Sequence, residues 1–214
     1  MGTVIAFINQ KGGCAKSTTS VHFAYWLNQK KQQKVLLVDS DAQKSSSIWL
    51  DSMETKIPFQ VIQSPDDLLE QIPNLALQQQ YIVVDGPAAL SETTRAILFR
   101  ADIAVVPCQP TGVDLRSAAD TVRLINQAQS VRKGAPEAAV FISRAVKGTK
   151  LLDEAEQLLS QTKVPILKSK IYQRQIIADT FGQRATVWDL NGKPATDSSK
   201  EFDNLFKEIL KIHH

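Results

Sequence analysis

The stretch Val4-Ile5-Ala6-Phe7-Ile8-Asn9-Gln10-Lys11-Gly12-Gly13-Cys14-Ala15-Lys16-Ser17-Thr18 decides the fold. An apolar run, Val4–Ile8, reads as a strand and enters a short turn with paired glycines. A helical pattern, Ser17–Gln29, follows at once. Glycines let backbone N–H groups turn toward an anion, and a helix N-terminus adds positive partial charge. Strand, turn and helix in this order form a phosphate-binding loop. Lys16 is placed to reach the β- and γ-phosphates of a nucleotide, and the Ser17 hydroxyl to bind Mg²⁺. The strict G-x-x-x-x-G-K-[ST] form is absent, because Gln10 and Ala15 stand at its two glycine positions.

Outward from this loop, short Val/Ile/Leu-rich runs alternate with helical patterns. Val35–Val38, Phe59–Ile62, Tyr81–Val84, Ile103–Pro107, Val140–Ser143 and Ile166–Ile171 read as further strands. Their continuous apolar character suits strands buried on both faces of a parallel sheet. Pro65–Ile72, Glu92–Arg100, Asp114–Arg132 and Lys150–Gln161 read as helices, with Ser64, Ser91 and Thr149 as candidate caps. The alternation predicts an α/β fold: a doubly wound, mostly parallel sheet with helices on both faces. No repeat or Gly/Ser linker divides the 214 residues, so one domain, 1–214, is expected.

Composition narrows the function classes. The chain is 43% hydrophobic and 22% charged, which excludes disorder as a description of the whole. Cys14 and Cys108 are far apart, with neither disulfide-framework nor zinc spacing. No signal peptide or long apolar span is evident, so a cytoplasmic protein is expected. A formal net charge of +3 does not by itself prove a nucleic-acid partner.

Two carboxylate motifs follow the loop in chain order. Val35-Leu36-Leu37-Val38 ends in Asp39-Ser40-Asp41-Ala42-Gln43, and Tyr81-Ile82-Val83-Val84 ends in Asp85-Gly86-Pro87. The C-terminal edge of a parallel sheet is its usual ligand edge. An apolar run ending in Asp suits a Walker B carboxylate, with Asp85 holding Mg²⁺ through its hydration shell. Gly86 allows the backbone to approach a γ-phosphate.

The sequence Lys11-Gly12-Gly13-Cys14-Ala15-Lys16-Ser17 resembles the deviant Walker A box of the ParA/MinD ATPases. The resemblance implies a deviant P-loop NTPase that binds ATP/ADP with Mg²⁺ along Lys11, Gly12, Gly13, Cys14, Ala15, Lys16, Ser17 and Thr18. It implies that Lys11 crosses a nucleotide-sandwiched homodimer to the partner's ATP. It further implies that Asp41 orients or deprotonates the attacking water, so Lys11, Lys16 and Asp41 form the catalytic set. Ser17, Asp39 and Asp85 form the metal set. Ala15 departs from the family's usual glycine. At positive φ an alanine costs about 1 kcal/mol, but the deviant pattern does not demand glycine there. Ala42 replaces the family's proline, which loosens that segment. Pro107, Gln109 and Pro110 are similar to the family's loop near adenine, and Asp114 to its dimer region.

Tyr172-Gln173-Arg174-Gln175-Ile176 looks like a segment of small plasmid-type ParA proteins. The chain opens at its first strand, so no helix-turn-helix extension is expected. Non-specific DNA binding needs Lys and Arg placed against phosphates. Residues 163–193 carry Lys163, Lys168, Lys170, Arg174, Arg184 and Lys193 against Asp179 and Asp189, a balance of +4. Arg144, Lys147 and Lys150 form a second basic cluster. A solvated basic face is the alternative reading of both. Ser199–Ile212 reads as a last helix with Phe202, Leu205, Phe206 and Ile209 on one face and a Ser198/Glu201 capping box. Its balanced charges favour core packing over a MinD-like membrane helix. His213 and His214 are expected to be a frayed end or a tag remnant rather than a metal site. The function implied is a partition or positioning ATPase, cytoplasmic and nucleoid-associated. Its cargo would be a plasmid, a chromosome region or a protein organelle such as a carboxysome. A ParB-like or other adaptor would stimulate hydrolysis, with no stable membrane association. MinD-like membrane positioning and a metabolic ATPase of the same fold are the alternatives.

Overall fold

The apolar runs become six strands: β1 (Thr3–Phe7), β2 (Val35–Asp39), β3 (Phe59–Val61), β4 (Tyr81–Asp85), β5 (Ile103–Cys108) and β6 (Glu137–Ile142). This is seen in a computed structural model that describes residues 1–160 and 164–212. The strands form one sheet in the order β3-β2-β4-β1-β5-β6, and every pairing is parallel. The helices are α1 (Lys16–Tyr25), α2 (Ser45–Ser52), α3 (Pro65–Ala76), α4 (Glu92–Arg100), α5 (Gly112–Val131), α6 (Lys150–Leu159), α7 (Gln175–Gly182) and α8 (Lys193–Leu210). A π-helical turn, Trp26–Lys30, extends α1.

Side chains alternate across a strand, so a sheet covered on both sides needs apolar residues at every position. Val4, Ala6 and Ile8 pack into one core with Leu68 and Ile72 of α3, Ile97 of α4 and Ile125 of α5. Ile5 and Phe7 pack into the other with Phe23 of α1, Trp49 of α2 and Phe202 and Phe206 of α8. The expected doubly wound α/β fold is present. The apolar stripe of α8 is spent inside: Phe202, Leu205, Phe206 and Ile209 are at most 1% exposed. No helix among the described residues is long and apolar enough to cross a membrane.

Local signals hold at several helix ends. Ser64 accepts from the Asp67 N–H ahead of α3, and Ser91 accepts from the Thr94 N–H ahead of α4. Thr149 precedes α6 but does not cap it, because its hydroxyl donates to the Val146 carbonyl at 2.9 Å. The last helix starts at Lys193 rather than Ser199, with Pro194 in its first turn. Ser198 therefore lies inside α8 and donates back to the Pro194 carbonyl at 2.8 Å, so no Ser198/Glu201 capping box forms.

The expected strand Ile166–Ile171 is not a strand. It meets β6 through isolated bridges, Val140 to Ile166 and Ala145 to Tyr172, and through the Ile171 N–H, which donates to the Ile142 carbonyl at 3.0 Å. Its outer N–H groups find carboxylates instead of a neighbouring strand. Glu208 accepts from the N–H groups of Lys168 (2.7 Å) and Ser169 (3.1 Å), and Glu201 from that of Tyr172 (3.2 Å). The sequence reading also missed α2 and α7. Gln161, Lys163, His213 and His214 lie outside the described residues.

Candidate functional site

β1 is central in the sheet, so the loop after it emerges at the middle of the C-terminal edge. Asn9, 1% exposed, holds this loop together. Its amide donates to the Pro107 carbonyl at 2.8 Å, and its Oδ1 accepts from the Lys11 N–H (3.1 Å) and the Ser117 hydroxyl (2.6 Å). Gln109 donates to the Gly13 carbonyl at 2.9 Å, and Ser143 to the Cys14 carbonyl at 2.9 Å. Gly13 has φ +77°, and Ala15 has φ +77° and ψ 24°. Ala15 thus occupies the left-handed region that glycine would fill without strain. The expectation that this loop makes no such demand at position 15 is corrected.

The two lysines sit differently. Lys16 is 6% exposed, and its ammonium donates inside the loop to the Lys11 carbonyl at 2.9 Å. Lys11 Nζ turns away and pairs with Asp114 Oδ2 at 2.8 Å. Asp114 lies in the first turn of α5, 1% exposed, and Thr111 caps that turn. The second oxygen of Asp114 has no hydrogen-bond partner. Cys14 and Cys108 are both buried, and burial raises both thiols, that of Cys108 to about 12. Cys14 Sγ lies within the phosphate loop, 3.3 Å from the Lys11 carbonyl oxygen.

Asp39 and Asp85 face each other across the β2–β4 pair, both 0% exposed. Asp39 is satisfied by the N–H groups of Asp41 (3.1 Å) and Ser47 (2.8 Å). Asp85 accepts from the Ser20 hydroxyl at 3.3 Å, while its Oδ2 has no partner. Burial, with the charge of Asp39 adding to it, pushes the Asp85 carboxyl up to about 7. A partnerless buried oxygen beside a second buried carboxylate and the Ser17 hydroxyl fits a divalent cation. Mg²⁺ keeps several waters and uses few protein ligands, and Ser17, Asp39 and Asp85 suit that habit. Gly86 is needed next to them, since a Cβ there would lie 2.8 Å from Ile8 Cγ2 and 3.0 Å from the Phe7 carbonyl oxygen.

A cleft beside this carboxylate pair is lined by Gly12, Lys16, Ser17, Asp41, Pro87 and Arg144. Asp41 stands over it, anchored through its N–H to Asp39 and through its carbonyl to Gln63 (2.8 Å). The segment with Ala42 is thus tied down by hydrogen bonds where proline is missing. A second cavity adjoins the first through Ala15, Thr18 and Arg144. Thr19, Tyr172, Gln173, Ile177 and Phe202 line it further. Pro107, Gln109 and Pro110 are not among its walls. β5 ends beside the first half of the phosphate loop, which Pro107 and Gln109 hold through Asn9 and Gly13. Arg144 belongs to both cavities, and its basic cluster gave only a weak hint of that.

The basic stretch divides. Lys168, Arg184 and Lys193 are exposed. Lys170 pairs with Glu156 at 2.5 Å. Arg174 makes two bonds of 2.6 Å to Glu201 and lies over the Tyr172 ring. Its guanidinium is bound within the molecule by Glu201 and the Tyr172 ring.

Residues 5–187 match the CobQ/CobB/MinD/ParA nucleotide binding domain. The chain belongs to that family. Two relatives of this ParA/MinD-type domain run along nearly its whole length. "Maintenance of carboxysome distribution protein A" of Halothiobacillus neapolitanus is 26% identical over 212 residues, 96% of this chain and 95% of that protein. The protein of the same name from Gloeobacter kilaueensis is 29% identical over 211 residues, 96% and 93% of the two chains. The solved ATP complex of a McdA variant from Cyanothece has the same fold, with a TM-score of 0.80 at 16% identity, over 100% of this chain and 98% of that one.

Proposed function

We propose that this ParA/MinD-type chain is a positioning ATPase. ATP closes two copies face to face, the closed pair holds DNA without sequence preference, and an adaptor protein triggers hydrolysis. The observation that carries this reading is the outward Lys11, held at 2.8 Å by Asp114 beside the phosphate cleft. A lysine needed only by its own nucleotide would turn inward as Lys16 does. Lys11 is stored at the edge, where a second copy's phosphates would compete for it. The names of the relatives support a carboxysome-type cargo ahead of a plasmid.

Phosphoryl transfer needs positioning and charge neutralisation rather than a covalent nucleophile. Ser17, Asp39 and Asp85 would hold Mg²⁺, which would supply charge neutralisation at the phosphates. Lys16 and the loop N–H groups bind the phosphates. Asp41 orients the attacking water and takes its proton. The base lies in the cavity beside Thr18 and Tyr172. Lys168, Arg184 and Lys193 supply the DNA-facing charge.

DNA pull-down with ATP, with ADP and without nucleotide tests the cycle. Retention is expected with ATP alone. Equal retention in all three conditions would remove the nucleotide from the cycle.

A further inference from the structure

Residues 164–174, ahead of α7, form no strand, yet Ile171, Tyr172, Gln173 and Arg174 make one wall of the cavity beside Thr18. An irregular wall needs its backbone groups satisfied from elsewhere. Its inner side is tied to the end of β6. The Gln173 N–H donates to the Ala145 carbonyl at 2.9 Å, and the Ala145 N–H to the Ile171 carbonyl at 3.0 Å. Its outer side is tied to α8 by one side chain. Glu201 Oε2 accepts from the Tyr172 N–H at 3.2 Å and from Arg174 Nη1 at 2.6 Å. Glu201 Oε1 accepts from Arg174 Nη2 at 2.6 Å. Arg174 in turn lies over the Tyr172 ring, 5.7 Å from its centre, and Lys147 Nζ lies 4.8 Å from it.

We infer that Glu201 is a positioning residue for the nucleotide base: from α8 it fixes Tyr172 and Arg174 as the wall against which the base is held. The inference rests on the proposed function, which puts a base in this cavity. Glu201 touches neither phosphate nor metal residues. A fork-to-fork pair sets direction as well as distance, so the guanidinium has one orientation and the Tyr172 ring beneath it is confined. The pair is 19% and 18% exposed, sheltered enough for its geometry to persist.

Glu201→Gln in the full chain tests this with two ligands, each with Mg²⁺: ATP, which has a base, and inorganic tripolyphosphate, which has none. Loss of the charge-assisted bonds is expected to weaken ATP about tenfold. Tripolyphosphate binding and kcat at saturating ATP should stay within about twofold of the parent. Arg174→Lys keeps the charge but loses the fork, and should likewise weaken ATP more than tripolyphosphate if Glu201→Gln does not fold. Unchanged ATP affinity in a folded variant overturns the inference, as does an equal loss for both ligands. A parent protein that binds tripolyphosphate but gains nothing from the base removes the base from this cavity and the inference with it. A parent that binds neither ligand instead fails the proposed function from which the inference starts.

Discussion

Ala15 is the residue where local chemistry and backbone geometry disagree most openly. Its φ of +77° places an alanine where Cβ crowds the following carbonyl. Ala15→Gly should stabilise the nucleotide-free protein by about 1 kcal/mol, read as a higher urea midpoint at unchanged slope. Lys11 and Asp114 carry a second residue-scale expectation. Lys11→Ala should weaken ATP-driven dimerisation in light scattering while most nucleotide affinity remains, since Lys16 and the loop stay in place. Unaltered dimerisation would refute the service of Lys11 to a second copy. Asp41→Ala should slow phosphate release to near background and leave an ATP-bound dimer. A fully active monomer would remove Asp41 from the chemistry.

At the scale of elements, α1 is joined to the C-terminal half by His22. Its ring is fully buried and stacked on Phe202 at 4.5 Å. Nδ1 donates to the Thr18 carbonyl at 2.7 Å, and Nε2 accepts from the Val187 N–H at 3.2 Å. Burial lowers its pKa to about 4, with the Thr18 carbonyl and Asp189 opposing weakly. The folded state therefore resists protonation that the unfolded chain accepts near 6.5. Stability from this site is complete above about 6.5 and falls as the pH drops toward 4, by on the order of 3 kcal/mol. His22→Phe should lower stability at pH 7 and flatten the decline below it, measured by thermal unfolding across that window. The phosphate loop and both aspartate motifs were legible because each is local: a strand, its end and the next turn adjoin in sequence. Segment 166–171 was not. Its apolar letters suit a strand, but Glu208, 39 to 40 residues on, takes the N–H groups of Lys168 and Ser169 in the middle of it. α2 was missed because Ser45-Ser46-Ser47 has little helix propensity and is fixed by contacts with β2 and α1. The prolines after β5 suggest a rigid wall for a base, whereas the cavity beside Thr18 draws its walls from four separated segments: the start of α1, Arg144, residues 171–178 and Phe202.

For the molecule as a whole, a net charge of +3 is spread unevenly, and ion pairs inside the C-terminal third consume part of its positive charge. DNA retention should then be weak and steeply salt-dependent. Lys168→Glu with Arg184→Glu should lower retention at every salt concentration and reduce the salt slope, whereas Arg174→Gln should leave the slope unchanged. Measurement of the midpoint salt concentration on immobilised DNA checks both. One stored contact has a further bearing on such a cycle. While Asp114 keeps Lys11 at home, a copy that meets an unloaded neighbour has nothing to gain by releasing it. In the proposed cycle association would then be a threshold event: sparse ATP would leave solitary subunits and plentiful ATP would give pairs, with few half-committed encounters between.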